Sequence, residues 1–167
     1  MFIDVYSCGL LIFKSRVFRC ALGRGGLKVD KCEGDGATPV GDFSLREVLY
    51  RDDRFPRPQT RLPCSKISEY DGWCDDPQDP SYNRKIRRPY PAHHEMLFRQ
   101  DGLYDIVIPI GYNDNPPVAG LGSAIFIHVA KKSYENTEGC LALSSPDLLS
   151  VLENYQPDCK IRINPPR

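Results

Sequence analysis

A mainly β fold, a mixed β-sandwich with one short helix late in the chain, is what the sequence predicts. Short runs of β-branched and aromatic residues, punctuated by Gly, Pro, Asn and Asp, fill the first third and return after residue 103. A single helix-start signature stands near the C-terminus, at Ser145-Pro146-Asp147. No internal repeat and no persuasive boundary interrupts residues 1–167. With 41% hydrophobic residues, the chain reads as one domain with a sizeable core.

Taken in order, Phe2 to Tyr6 and Leu10 to Phe13 are strands flanking a Cys8-Gly9 turn. Val17 to Leu22 is a third strand and Asp42 to Val48 a fourth. The β pattern resumes from Tyr104 to Tyr112, and Asn113-Asp114-Asn115-Pro116-Pro117 then turns the chain. Ala124-Ile125-Phe126-Ile127 is apolar without alternation, as in a fully buried strand that delivers His128 to its exposed end. Ser145 is the expected N-cap, with Pro146 at N1, acidic Asp147 in the first turn, and Leu148, Leu149 and Leu152 on the buried face. Lys160 to Ile163 alternates and closes the fold as a strand.

Residues 50–103 have a different texture. They hold seven of the fifteen prolines, the acidic residues Asp71, Asp75, Asp76 and Asp79, and the basic residues Arg84, Lys85, Arg87 and Arg88. Their aromatics (Tyr70, Trp73, Tyr82, Tyr90, Phe98) oppose disorder, which is aromatic-poor. A long ordered segment in a compact domain is usually functional. The expectation is an irregular, Pro-rich insertion without regular strands, folded beside the active site with Trp73 and Tyr82 buried as anchors.

The residues that carry chemistry lie between 122 and 144. His128 ends the apolar strand and Cys140 follows it by twelve residues, with Gly139 just before. A thiol is a nucleophile as thiolate, and a neighbouring imidazole would make it one, lowering its pKa below ~8.5. Gly139 permits a sharp turn that aims N–H groups at a developing oxyanion. On those two residues alone, a buried structural Cys and a core His are an equal alternative. Upstream, Gly36-Ala37-Thr38-Pro39-Val40-Gly41-Asp42-Phe43 follows the Gly-rich stretch Leu22-Gly23-Arg24-Gly25-Gly26.

These three elements, in this order, resemble the YkuD-type L,D-transpeptidase family, over a span from about Val17 to Leu152. Thr38, Pro39, Gly41 and Phe43 match the family's T-P-x-G-x-F element. Thr137, Gly139 and Cys140 match its nucleophile element. The resemblance implies a β-sandwich of the L,D-transpeptidase type and a cysteine acyltransferase acting on peptidoglycan stem peptides, without metal or organic cofactor. Cys140 is then the nucleophile, His128 the base, Val129 the residue whose carbonyl orients it, and Gly139 an oxyanion donor. Thr137, Glu138, Tyr112, Asn113, His94, Trp73 and Arg84 are the candidate substrate-binding residues. Two positions depart from the common pattern: Glu138 stands where His is usual, and Ala142 where Asn or Arg is frequent. A subfamily with a T-E-G-C-x-A-L signature, some of whose short members make 1,3-type crosslinks, is similar to this chain at both.

Several bland readings stand beside these. His93 and His94 are adjacent in a polar loop and point apart. Arg84 to Arg88 serves as a solvated face or as a carboxylate-binding strip. Tyr112 and Asn113 are groove residues or ordinary turn chemistry. The aspartates match no calcium loop and the Cys and His spacings match no zinc motif. Cys64 and Cys74 either bridge or stay separate, Cys74 as a small buried hydrophobe. With seven cysteines, an odd number, at least one thiol is unpaired in an oxidising envelope, and Cys140 is the candidate.

Twenty-two basic and twenty-two acidic residues cancel, so no basic field recruits nucleic acid. No apolar run reaches the ~18–20 residues of a membrane span. The first residues lack the basic region of a signal peptide, so a periplasmic or cell-envelope location rests on the resemblance, as does a monomeric state. Two alternatives remain: an L,D-carboxypeptidase that resolves the same acyl-enzyme with water, and a non-catalytic wall-binding module. A papain-like or NlpC/P60 peptidase is disfavoured because its Cys precedes its His.

Overall fold

The computed structural model of the chain describes residues 1–166. Fifteen strands and one helix run in the order β1 (Phe2–Tyr6), β2 (Leu10–Phe13), β3 (Arg16–Arg19), β4 (Leu27–Lys28), β5 (Thr38–Pro39), β6 (Gly41–Ser44), β7 (Val48–Tyr50), β8 (Cys64–Lys66), β9 (Asp71–Cys74), β10 (Arg84–Arg87), β11 (His94–Met96), β12 (Ile106–Pro109), β13 (Phe126–Val129), β14 (Leu141–Leu143), α1 (Ser145–Glu153) and β15 (Lys160–Ile163). The fold is mainly β, as the strand texture predicted.

Two five-stranded sheets form the sandwich, ordered β3-β2-β1-β15-β6 and β14-β13-β12-β7-β8. In the first, β15 pairs parallel to β1 and antiparallel to β6. In the second, β13 pairs antiparallel to β12 and parallel to β14. Between the sheets lies the main core. Ile3, Val5, Leu11, Phe13, Ile161 and Ile163 of the first sheet meet Val48, Ile106, Ile108, Ile127, Leu141 and Leu143 of the second.

The second sheet is buried on its other face too, where Leu49, Val107, Phe126 and Cys140 pack with Ile67, Leu97 and Tyr104. Alternation divides neighbours between the two cores: Val48 to one and Leu49 to the other, Ile127 to one and Phe126 to the other. Such strands read as unbroken apolar runs because neither face is polar. The layer over that second face is built from residues 67–103 and adds a three-stranded sheet, β10-β9-β11, whereas the first part of the 50–103 segment supplies β8 to the second sheet and Phe55 and Leu62 to the main core. The expectation of a segment without regular strands is therefore overturned. Its prolines stand between the strands, with Pro77 and Pro80 before β10 and Pro89 and Pro91 before β11, where no ladder N–H is lost. Tyr82 is buried, whereas Trp73 is only partly so.

Five boundaries also differ from expectation, the simplest being that the strand expected from Tyr104 to Tyr112 is shorter, Ile106–Pro109. The strand expected from Asp42 to Val48 is two, because the chain crosses from one sheet (β6) to the other (β7) at Leu45. β3 stops at Arg19, and Ala21 instead bridges Ala142. Ala124 has φ of 53°, so β13 starts at Phe126, and His128 sits inside the strand, 6% exposed, rather than at an exposed end. The N-cap is Ser144, whose side chain accepts from the Asp147 N–H, and the buried helix positions are Leu148, Val151 and Leu152. Leu149 is only partly covered. All seven cysteines are free thiols.

Candidate functional site

The turn that presents Cys140 is held from below by the two glycine-rich stretches. Thr137 N–H donates to Leu22 O at 3.0 Å and Arg24 N–H to Thr137 O at 2.8 Å. Gly23 N–H donates to the buried Thr38 hydroxyl at 2.9 Å. Gly139 adopts φ of 130°, and a Cβ there would stand 2.8 Å from Ala37 O. Glycine is required on both counts. Within the turn, the Thr137 hydroxyl donates to Cys140 O at 2.6 Å and accepts from Gly139 N–H at 3.2 Å. The Gly139 N–H, expected to point at an oxyanion, is thus engaged by Thr137.

His128 is registered against Ala142 across the parallel β13–β14 pair. Cys140 lies two residues before Ala142 and so faces the same side of the sheet as His128, as its diagonal neighbour. Strand spacing and rise put such a pair about 8 Å apart at Cα; the thiol's hydrogen bonds go to the Phe126 N–H and Ala124 O rather than to the imidazole. His128 Nδ1 lies 2.9 Å from Val129 O. A carbonyl only accepts, so Nδ1 carries the proton and Nε2 is the basic nitrogen. The Tyr104 ring stands edge-on to the imidazole, centroids 5.3 Å apart, and also meets Phe126.

Burial decides the charge state of the pair. The Cys140 thiol accepts from Phe126 N–H at 3.3 Å and donates to Ala124 O at 3.2 Å. Loss of solvent, and then the Glu95 carboxylate, push it up to about 12, against the weaker pull of the Phe126 N–H and of Lys31. Burial pushes His128 down, only partly offset by its bond to Val129. The expectation of an imidazole-lowered thiol is therefore not met: at rest the pair is thiol and neutral imidazole.

Cys140 and His128 both line one cavity of about 490 Å³. Thr137 and Glu138 line it too; Glu138 is exposed and ion-paired with Arg24 at 2.8 Å. The other expected binding residues lie elsewhere. Trp73 and Arg84 border a separate groove, with the Trp73 indole N–H on Asn83 Oδ1 at 3.0 Å. Tyr112 donates to Leu121 O at 2.5 Å, and Asn113 to Val118 O and Gly122 O, so both brace the 113–122 loop. His94 accepts from Arg88 Nε at 3.2 Å on the β11 face opposite Glu95. His93 is exposed against Asp75.

Sequence reasoning missed the cavity's charged wall. Lys31 Nζ, its side chain only 3% exposed, meets Asp35 Oδ1 at 2.8 Å. Glu95 accepts from the Tyr104 hydroxyl at 2.7 Å, and burial raises its proton affinity. No motif marks these residues. The only available signal was that Lys31 and Asp35 lie beside a glycine stretch and that Glu95 lies in the long middle segment.

A β-sandwich that sets one thiol and one imidazole on the same sheet face, inside a polar cavity, has the make-up of a cysteine-dependent acyl-transfer domain. The family model of the YkuD L,D-transpeptidase catalytic domain matches residues 5–163, and the chain belongs to that family. No curated protein and no solved structure matches it.

Proposed function

We propose that the protein is a peptidoglycan L,D-transpeptidase with Cys140 as nucleophile and His128 as base. The observation that carries this reading is the shared face and cavity of the two residues, with His128 Nδ1 tied to Val129 O so that Nε2 is left for the thiol. Cys140 Sγ attacks the carbonyl of an L-configured residue in a donor stem. Because neither group is charged at rest, His128 takes the thiol proton as the C–S bond forms and passes it to the departing D-residue amine. The Cys140 N–H is the oxyanion donor we assign, and such a donor contributes about 2.7–4 kcal/mol in the transition state. The Gly139 N–H would join it only by leaving Thr137. An acceptor stem amine then resolves the thioester, giving a 3,3- or 1,3-type crosslink. Donor and acceptor are cell-wall peptides, which puts the working site in the periplasm or cell envelope. No helix among the described residues is long and apolar enough to cross a membrane.

Intact mass after incubation with a carbapenem tests the reading. We expect one covalent adduct on the wild type and none on Cys140→Ala, which should melt as the wild type does. Crosslinks formed by Cys140→Ala at a comparable rate would overturn it. Mass spectrometry of the muropeptide products separates crosslinking from trimming by water, and an unreactive, wall-binding protein would indicate a non-catalytic module.

A further inference from the structure

The transpeptidase reading leaves one proton without an acceptor. A lysine-type amine titrates near ~10.4 and reaches the cavity as an ammonium at neutral pH. It must lose one proton before its lone pair can attack and a second as the amide forms. His128 carries only one of these, and delivers it to the departing sulfur.

Six carboxyls line the cavity: Glu33, Asp75, Glu95, Asp101, Glu135 and Glu138. Four have ion-pair partners, in His93, Arg99, Lys131 and Arg24 respectively for Asp75, Asp101, Glu135 and Glu138. Glu33 accepts from both the Tyr82 and Ser123 hydroxyls. Glu95 has one partner among the described residues, the Tyr104 hydroxyl on Oε2 at 2.7 Å. No buried side-chain oxygen among the described residues lacks a partner, so the second Glu95 oxygen, Oε1, is not sealed from solvent; Glu95 lines this cavity and also a groove beside Arg88 and Met96. The same Tyr104 ring abuts His128, so carboxyl, phenol and imidazole follow one another along one wall.

We propose that Glu95 is a catalytic residue of the second half-reaction, taking the first proton from the acceptor ammonium. The ammonium and the Glu95 carboxylate become a neutral amine and a carboxylic acid. The amine nitrogen forms the new C–N bond, the C–S bond breaks, and the nitrogen's second proton passes through His128 to Cys140 Sγ. Glu95 then returns its proton to water. Tyr104 contacts it, Asp75, Glu33 and Arg99 act on it through their charge, it acts in turn on the Cys140 thiol, and burial strengthens its hold on a proton, as this role needs. Glu95 also distinguishes amine from water, because a water acceptor arrives with no proton to shed first.

The test compares Glu95→Gln with the wild type on a tetrapeptide donor, using two acceptors. One is a lysine-type amine and the other a weakly basic amine already neutral at pH 7. Acylation by a carbapenem, read by intact mass, reports the fold of the site and the first half-reaction separately. Transfer to the basic amine at pH 7 should fall roughly 100-fold more than acylation does, and recover as pH rises toward the amine's own pKa. Transfer to the weakly basic amine should fall no more than acylation. Equal losses with both amines, or no selective loss with the basic one, would overturn the role of Glu95. A wild type that is never acylated would overturn the transpeptidase reading with it.

Discussion

At the scale of single residues, buried Cys140 and His128 set the behaviour of the cavity, and Asp35 holds Lys31 of its wall. Cys140 is held neutral by burial and the nearby Glu95, with its thiol pushed up to about 12, while burial pushes the His128 imidazole down. Iodoacetamide should therefore modify exposed Cys8 and Cys32 before Cys140 at pH 7, and Cys140 labelling should climb with pH without a plateau below about 9. His128→Gln should leave that labelling profile in place, since no resting ion pair is removed; a plateau near pH 6 in the wild type would show one. Asp35 behaves differently. Burial alone would raise it, but the Lys31 ammonium and the Ala37 and Cys32 N–H groups outweigh burial and bring it down to about 2, against an ordinary 3.8. A folded pKa below the unfolded one means that this stabilisation is complete above pH 4 and is lost as pH falls toward 2. Lys31→Ala leaves Asp35 with Lys28 and the Cys32 and Ala37 N–H groups and should cost about 1–3 kcal/mol at pH 7 in denaturant unfolding, with part of the loss recovered as Asp35 protonates in acid.

At the scale of elements, the reactive turn depends on glycines that belong to different parts of the chain. Gly139 combines φ of 130° with contact on Ala37 O, and Gly23 and Thr38 hold the opposing loop against it. The T-P-x-G-x-F element thus works as a floor beneath the nucleophile. Gly139→Ala should lose about 1–3 kcal/mol to backbone strain. It should slow acylation by roughly 100-fold, because the displaced turn moves the sulfur from its line of attack. Acylation kinetics alongside a melt check this, and a variant that acylates normally would show that the turn tolerates the shift. The helix start was legible to within one residue. Two serines are adjacent, and only the geometry of the cap shows that Ser144, not Ser145, accepts the Asp147 N–H.

At the scale of the whole molecule, residues 67–103 supply the layer over the second face of the β14-β13-β12-β7-β8 sheet. Asp75, Glu95, Arg99, Asp101 and Leu103 from that layer line the cavity that holds Cys140 and His128. The tip at residues 77–81 follows Asp75 directly, and the Tyr90 hydroxyl pins it through Asp79 and Ser81. A wall of this kind limits water at a thioester. Trimming Pro77 to Ser81 should therefore raise hydrolysis relative to crosslinking in the muropeptide products, with carbapenem acylation retained. An unchanged product ratio would show that the tip takes no part in acceptor choice.

The sequence by itself determined the β class, the strands at Phe2–Tyr6, Leu10–Phe13 and Lys160–Ile163, the single helix and the family. Periodicity, turn chemistry and short motifs are local, and they survive in the order of residues. It also singled out Cys140 and His128, because the apolar run before the histidine and the glycine before the cysteine are adjacent in the chain. Tertiary structure alone decided the rest. Glu95, Tyr104 and Lys31 reach the cavity from separate segments, and nothing near them in sequence announces a shared wall. Tyr112, Asn113, His94, Trp73 and Arg84 look like binding residues in sequence, but the first four bond to neighbours outside the cavity and Arg84 borders a separate groove. The charge of the thiol was decided the same way: a nearby imidazole predicts a thiolate, and burial between two packed layers, which only the fold creates, keeps the proton on sulfur.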